Sequence, residues 1–239
     1  MKKHIICIIV LCLSFVLATP CFAAFRSSSS CVNMVAQFIA GTKKHKGVFM
    51  AIDAREQKRR GGKLLFKGSD ISQADLLHAY YDPAKLPYVA QAVMRIMSEV
   101  DKKNYRYYQR RLAEFQAGLD SAVNVGRYCL PSDKRMLDLT AMEGALILSA
   151  HDGVTRPEQS EWKRWSEGDV ASLERLLELS EKKGEIVLID HWTPVAVLQC
   201  LQGYKKKILM PTAGSGKDYF NSLTAIYRYV SKRIQELEK

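Results

Sequence analysis

The chain has 239 residues, with 36 Lys plus Arg against 25 Asp plus Glu and a formal charge of +11. An apolar fraction of 47% beside a charged fraction of 26% belongs to a folded globular protein, and excludes a disordered chain or a fibrous repeat. The cation surplus suggests an anionic partner, a role that nucleic acid, a membrane surface or an acidic ligand would fill.

The first 23 residues choose among these. Lys2 and Lys3 precede an apolar run from Ile5 to Ala18, and Cys21-Phe22-Ala23 supplies a small-x-Ala cleavage signal. This reads as a secretory signal peptide cut after Ala23. The run is short for a membrane span, and an uncleaved N-terminal anchor is the alternative. Export argues against work on intracellular DNA or RNA, so no nucleic acid partner is expected. Cleavage removes Lys2, Lys3, Cys7, Cys12 and Cys21, which lowers the charge to +9 and leaves Cys31, Cys129 and Cys200. Three separated Cys make no disulfide framework and lack zinc-site spacing; one bridge, or three buried thiols, both stay open. About 216 mature residues are enough to bury a core without such staples.

Further along, Val32, Val35, Ala36 and Ile39 have helical spacing, with Gly41 as the stop. Gly47 to Ile52 and Lys63 to Phe66 read as short buried strands. The basic run Arg55 to Gly62 between them reads as a solvated loop, and His45 among its lysines as solvated too. From Pro87 to Val125 the pattern predicts two successive helices. Val89, Val93, Ile96 and Met97 mark the first; after a break at Asp101 to Asn104, Tyr108, Leu112, Phe115 and Leu119 mark the second. Arg106, Arg110, Arg111 and Glu114 fall on its opposite, exposed side.

From Arg135 onward strands and helices alternate. Strands are expected at Met136 to Leu139, near Val154, at Glu185 to Ile189 and at Ile208 to Met210. Helices are expected over Met142 to Ala150, around Leu173 to Leu179, from Thr193 as N-cap with Pro194 at the first helical position, and over Tyr219 to Leu237. Such a series implies a parallel sheet covered on both faces, with ligands beyond the carboxyl ends of its strands. That rule selects Thr140 to Glu143, Asp190-His191 and Pro211 to Gly214 as the functional rim. Asp190 and His191 are candidates for ligand contact or acid-base work, although Asp190 also suits a capping role. A hydrolase built on them lacks a nucleophile, since neither GxSxG nor HExxH is present. Gly214-Ser215-Gly216-Lys217 fails as a nucleotide loop, because Pro211 and Asp218 stand where the motif needs Gly and Ser or Thr. A flexible loop with Lys217 at a helix start remains, able to hold an anion.

The stretch His78-Ala79-Tyr80-Tyr81-Asp82-Pro83, the helix after it, and Asp101-Lys102-Lys103-Asn104 through Tyr108 resemble the zinc and manganese class of substrate-binding proteins of bacterial ABC importers. That family carries His-x-Trp-x-Asp-Pro, a helix, Asp-Pro-x-Asn-x-x-x-Tyr, then a long helix joining two lobes. The resemblance runs from about Leu76 to Ile234. It implies an α/β fold of two lobes with mainly parallel sheets joined by a long helix, the N-terminal lobe shortened. The implied layout is a lobe over 24–100, a connecting helix over 101–126 and a second lobe over 127–239. It also implies a periplasmic or otherwise extracytoplasmic binding protein that is no enzyme, with zinc or manganese, or another small solute, held between the lobes for an ABC permease.

Of the family's metal ligands, only His78 has a counterpart. The His expected at the start of the second lobe falls near Ala141 or Met142, the carboxylate at Pro211 or Thr212, and the Asp-Pro-His segment of the first lobe has no match. The expected altered metal site is therefore His78, Glu143, Asp190 and His191, placed together by strand-end position. A relative that has lost its metal and binds another ligand, such as an anion, or a protein partner is the alternative. Lys205, Lys206 and Lys207, expected near the rim with Lys217, favour it. N-terminal sequencing of the exported protein should begin at Ala24; a chain that starts at Met1 and stays with the membrane would mean an uncleaved anchor.

Overall fold

The computed structural model describes residues 25–42, 48–66, 73–142, 144–213 and 219–239. The signal-peptide reading, His45, Glu143 and the Lys217 loop lie outside the described residues. The first lobe contains β1 (Phe25–Arg26), α1 (Ser30–Ala40), β2 (Val48–Ala51), α2 (Ala54–Arg60), β3 (Lys63–Leu64) and α3 (Gln73–Tyr80). Its three strands pair in the order β1-β2-β3, all parallel. Next come α4 (Leu86–Val100), a 3₁₀ turn (Lys102–Asn104) and the long helix α5 (Tyr105–Cys129). The second lobe has β4 (Met136–Asp138), α6 (Gly144–Leu148), β5 (Val154–Thr155), α7 (Gln159–Ser166), α8 (Ala171–Lys182), β6 (Ile186–Ile189), α9 (Val195–Cys200), β7 (Lys207–Leu209) and α10 (Tyr219–Leu237). Its sheet runs β5-β4-β6-β7, again all parallel. The α/β class, the two parallel sheets and the long helix agree with expectation, and the first sheet is the smaller.

Local chemistry explains most boundaries. Ser29 caps α1, its hydroxyl accepting from the Val32 N–H, and Gly41 ends the helix at φ 60°. Residues 54–60 are helical rather than the loop that their charge suggested. Asp53 accepts from the Glu56 N–H at 2.7 Å, and the Glu56 carboxylate turns back to the Ile52 N–H at 2.9 Å. This reciprocal cap starts a helix whose outer face is solvated. The break between α4 and α5 is organised by Asp101, whose Oδ2 accepts from the Asn104 amide at 2.7 Å and the buried Tyr108 hydroxyl at 2.8 Å. Helix α7 is absent from the sequence reading, because Trp162 and Trp165 are its only large apolar residues.

The inner strands β4 and β6 of the second sheet are buried on both faces, and alternate residues of a strand serve opposite layers. Met136, Ile186 and Leu188 join a core that extends into the first lobe, while Leu137 and Val187 join Trp165, Leu173, Leu177 and Val197 beneath α7, α8 and α9. The shared core is centred on α5. Phe38 of α1, Phe115 of α5 and Phe220 of α10 meet pairwise at 5.3–5.5 Å between ring centres. Arg111, expected on the exposed side, instead lies 4.4 Å above the Phe38 ring and donates to the Phe38 carbonyl at 2.6 Å. Cys31, Cys129 and Cys200 are free thiols, and burial pushes the Cys31 thiol up to about 12. No bridge links them, and only Cys31 is buried while Cys129 and Cys200 are half-buried, so the expectation of three buried thiols is not met either. No described helix is long and apolar enough to cross a membrane.

Two glycines let α10 approach α5. A Cβ at Gly118 would stand 2.7 Å from the Phe220 ring, and one at Gly126 would stand 2.7 Å from the Ala150 Cβ and 2.8 Å from the Tyr227 ring. In an open helix, Gly→Ala gains about 1 kcal/mol; overpacking a filled core costs about 1–3 kcal/mol. Gly126→Ala should therefore lower the urea midpoint, by a net of about 1 kcal/mol. A midpoint at or above that of the wild type would contradict the contact.

Candidate functional site

Strand order places the carboxyl end of β4 at the point where the chain departs to opposite sides, to β5 on one and β6 on the other. Open parallel sheets form their crevice there. In this protein Asp190 fills much of that crevice itself. Its Oδ2 accepts from the Met142 N–H at 2.7 Å; its Oδ1 accepts from the Trp192 N–H at 3.1 Å and lies 2.9 Å from the Thr193 hydroxyl. That hydroxyl also lies 3.0 Å from the Leu139 carbonyl and accepts from the Asp190 N–H. Asp190 and Thr193 thus tie the loop after β6 to the loop after β4. Because Thr193 is committed here, Pro194 takes the N-cap position and α9 begins at Val195, one residue later than its sequence suggests.

The neighbouring strand ends carry a second buried carboxylate, which sequence reasoning did not single out. Asp138 is fully buried at the end of β4. Its Oδ1 accepts from the Thr140 N–H at 2.9 Å and hydroxyl at 2.7 Å, and its Oδ2 pairs with Arg156 Nη1 at 3.0 Å. Burial pushes the Asp138 carboxyl above its ordinary value, against the pull of the Arg156 charge and the Thr140 donors. A Cβ at Gly144 would fall 1.7 Å from Oδ2, so the start of α6 packs on this carboxylate only as glycine. The visible clue was a carboxylate at the end of an apolar strand. Arg156 gave no clue, since only the pairing of β5 with β4 brings it there.

Beyond these strand ends lies an open cleft of about 900 Å³. The first lobe contributes His78 and Lys85; the second contributes Arg156, Trp162 and Lys163, with Ala141 and Pro194 from the two rim loops. Arg156 is held by Asp138 and by the Thr140 carbonyl at 3.4 Å, leaving its side chain 30% exposed. Lys85 pairs with Asp82 at 3.3 Å. The Trp162 indole N–H is buried without a hydrogen-bond partner among the described residues. Tyr81 and Trp192 meet across the lobes, 5.9 Å between ring centres.

The expected site residues are thus distributed unevenly. His78 is exposed and lines the cleft. Asp190 is buried and occupied by protein donors, His191 is exposed on the loop after β6, and Glu143 is outside the described residues. Among the described residues, no three His, Cys, Asp or Glu side chains gather as a metal site. Lys205, Lys206 and Lys207 are not at the rim. Lys207 opens β7, and the Lys206 carbonyl accepts from the N–H of Val187 near the start of β6, which puts all three at the opposite edge of the sheet.

No family model and no curated protein matches the sequence. Solved structures do match in fold. ZnuA superposes with a TM-score of 0.57 at 13% identity, over 87% of this chain and 97% of that one. The SBP FpvC from Pseudomonas aeruginosa, in complex with Mn2+, gives 0.58 at 12% identity, over 89% and 98%. The laminin-binding protein Lbp of Streptococcus pyogenes gives 0.57 at 12% identity, over 87% and 97%. The chain therefore has the fold of the metal-binding solute-binding proteins.

Proposed function

We propose that this chain is an extracytoplasmic solute-binding protein that holds a small solute between its lobes and presents it to an ABC permease. The lobes span 24–100 and 127–239, with 101–126 as the connector. The observation that carries the reading is a cleft lined from both lobes at the strand ends of a fold shared with binding proteins. Its volume suits a small solute. A ligand bridging His78 or Lys85 and Arg156 would hold the lobes together, and the permease would read that joined surface. No covalent step is involved: a hydrolase on Asp190 would need a carboxylate already filled by three protein donors. In membranes containing the cognate permease and its ATPase, the mature chain should stimulate ATP hydrolysis at saturating solute. Unchanged hydrolysis with every solute whose uptake the cell couples to that permease would end the proposal.

A metal cargo held by His78 with Glu143, Asp190 and His191 is the second reading, favoured by His78 on the cleft and by the Mn2+ bound to FpvC. It requires Asp190 to exchange backbone donors for a metal. Removing that carboxylate leaves buried groups unpaired, at about 1–3 kcal/mol each. Asp190→Ala should accordingly lower unfolding stability by about 3 kcal/mol in urea. A variant that keeps wild-type stability but loses zinc or manganese binding would instead identify Asp190 as a ligand.

A further inference from the structure

We infer that the cleft takes a small oxyanion, a carboxylate- or phosphate-bearing solute; this rests on the solute-binding reading and names its cargo class. Three cationic side chains, Lys85, Arg156 and Lys163, line the cleft with His78, and no Asp or Glu is among its described lining residues. Lys85 and Arg156 are each paired with one carboxylate, yet both keep further N–H donors that an oxyanion can use and a metal ion cannot.

Arg156 is the anchor. Asp138 and the Thr140 carbonyl engage two of its N–H groups and fix the plane of the guanidinium. The fork has five donors, so others are left for a planar or tetrahedral oxyanion on a side chain that is already ordered. Asp138 is a positioning residue: fully buried, it holds Arg156 without touching the solute. Lys163 is exposed and has no ion-pair partner among the described residues.

The Trp162 indole is a further part of the wall. Its side chain lines this same cleft. Gln159 and Ser160 add neutral polar groups beside it.

Isothermal titration of the mature chain, stripped with chelator, tests the inference with inorganic phosphate and succinate as probes. One of them should bind at a single site, and which one distinguishes a phosphate from a carboxylate solute. Arg156→Lys, which keeps a charge beside Asp138 but removes the fork, should weaken binding at least tenfold. Lys163→Gln, which removes one charge from an exposed side chain of the cleft wall, should weaken it several-fold with an unchanged melting temperature. Equal binding by both variants would reassign the heat to scattered surface cations and overturn the inference, as would no heat from either probe. Zinc binding lost in His78→Ala, with no anion heat, would also overturn it while leaving the solute-binding reading intact. Failure of that reading appears separately, in the permease ATPase.

Discussion

Everything in the fold depends on the close approach of α10 to α5. Gly118 and Gly126 leave no side chain between the helices, so Phe220 and Tyr227 rest directly on the long helix. Phe38 and Arg111 then fasten α1 to the same surface. The result is one hydrophobic core running from Phe25 in the first lobe to Ile208 and Ile234 in the second. The Tyr219 hydroxyl adds a polar link, donating to the Tyr80 carbonyl at 3.0 Å just after His78. Swinging the lobes widely apart would expose this shared core to water, at about 25 cal/mol for each Å² of apolar surface. The cleft walls are therefore positioned by packing, and a solute is met by side chains already near their places.

The two buried carboxylates at the second lobe's strand ends divide the work of that rim. Asp190 spends its oxygens on loop N–H groups and closes the crevice between β4 and β6. Asp138 spends its oxygens on Thr140 and Arg156, and so carries a positive group to the cleft wall. A buried ion pair is a weak source of stability, because desolvation offsets most of its attraction. What it provides here is direction: the guanidinium is pinned at a strand end that Gly144 allows α6 to cover. The metal-ligand positions implied by resemblance and the cationic side chains lining the cleft therefore differ on one scaffold, with only His78 in both surroundings among the described residues.

Much of the architecture was legible along the chain. The closing helix Tyr219–Leu237 and the break at Asp101 to Asn104 follow from apolar spacing and local hydrogen bonding, which depend on near neighbours. The β-rich run ending at Ile189 needed only its own composition. Helix α2 was missed because its charge outweighed a local signal, the Asp53 and Glu56 cap. Helix α9 was started early because Thr193 looked like a cap, although its hydroxyl is used across the rim near Leu139. Arg111 was assigned to solvent because helical spacing does not say that α1 will lie over it.

By itself the sequence determined the α/β class, the alternation of strands and helices in the second half, the long helix, and the strand ends beside which a cleft opens. These follow from periodicity and capping, where each residue is judged against others a few positions away. Only the tertiary structure decided which rim residues are available to a ligand. It committed Asp190 to backbone donors, carried Lys205 to Lys207 to the far edge, and brought Arg156, Trp162 and Lys163 to face His78 and Lys85. The physical reason is that a buried carboxylate is defined by partners remote in sequence, and the pairing order β5-β4-β6-β7 sets those partners.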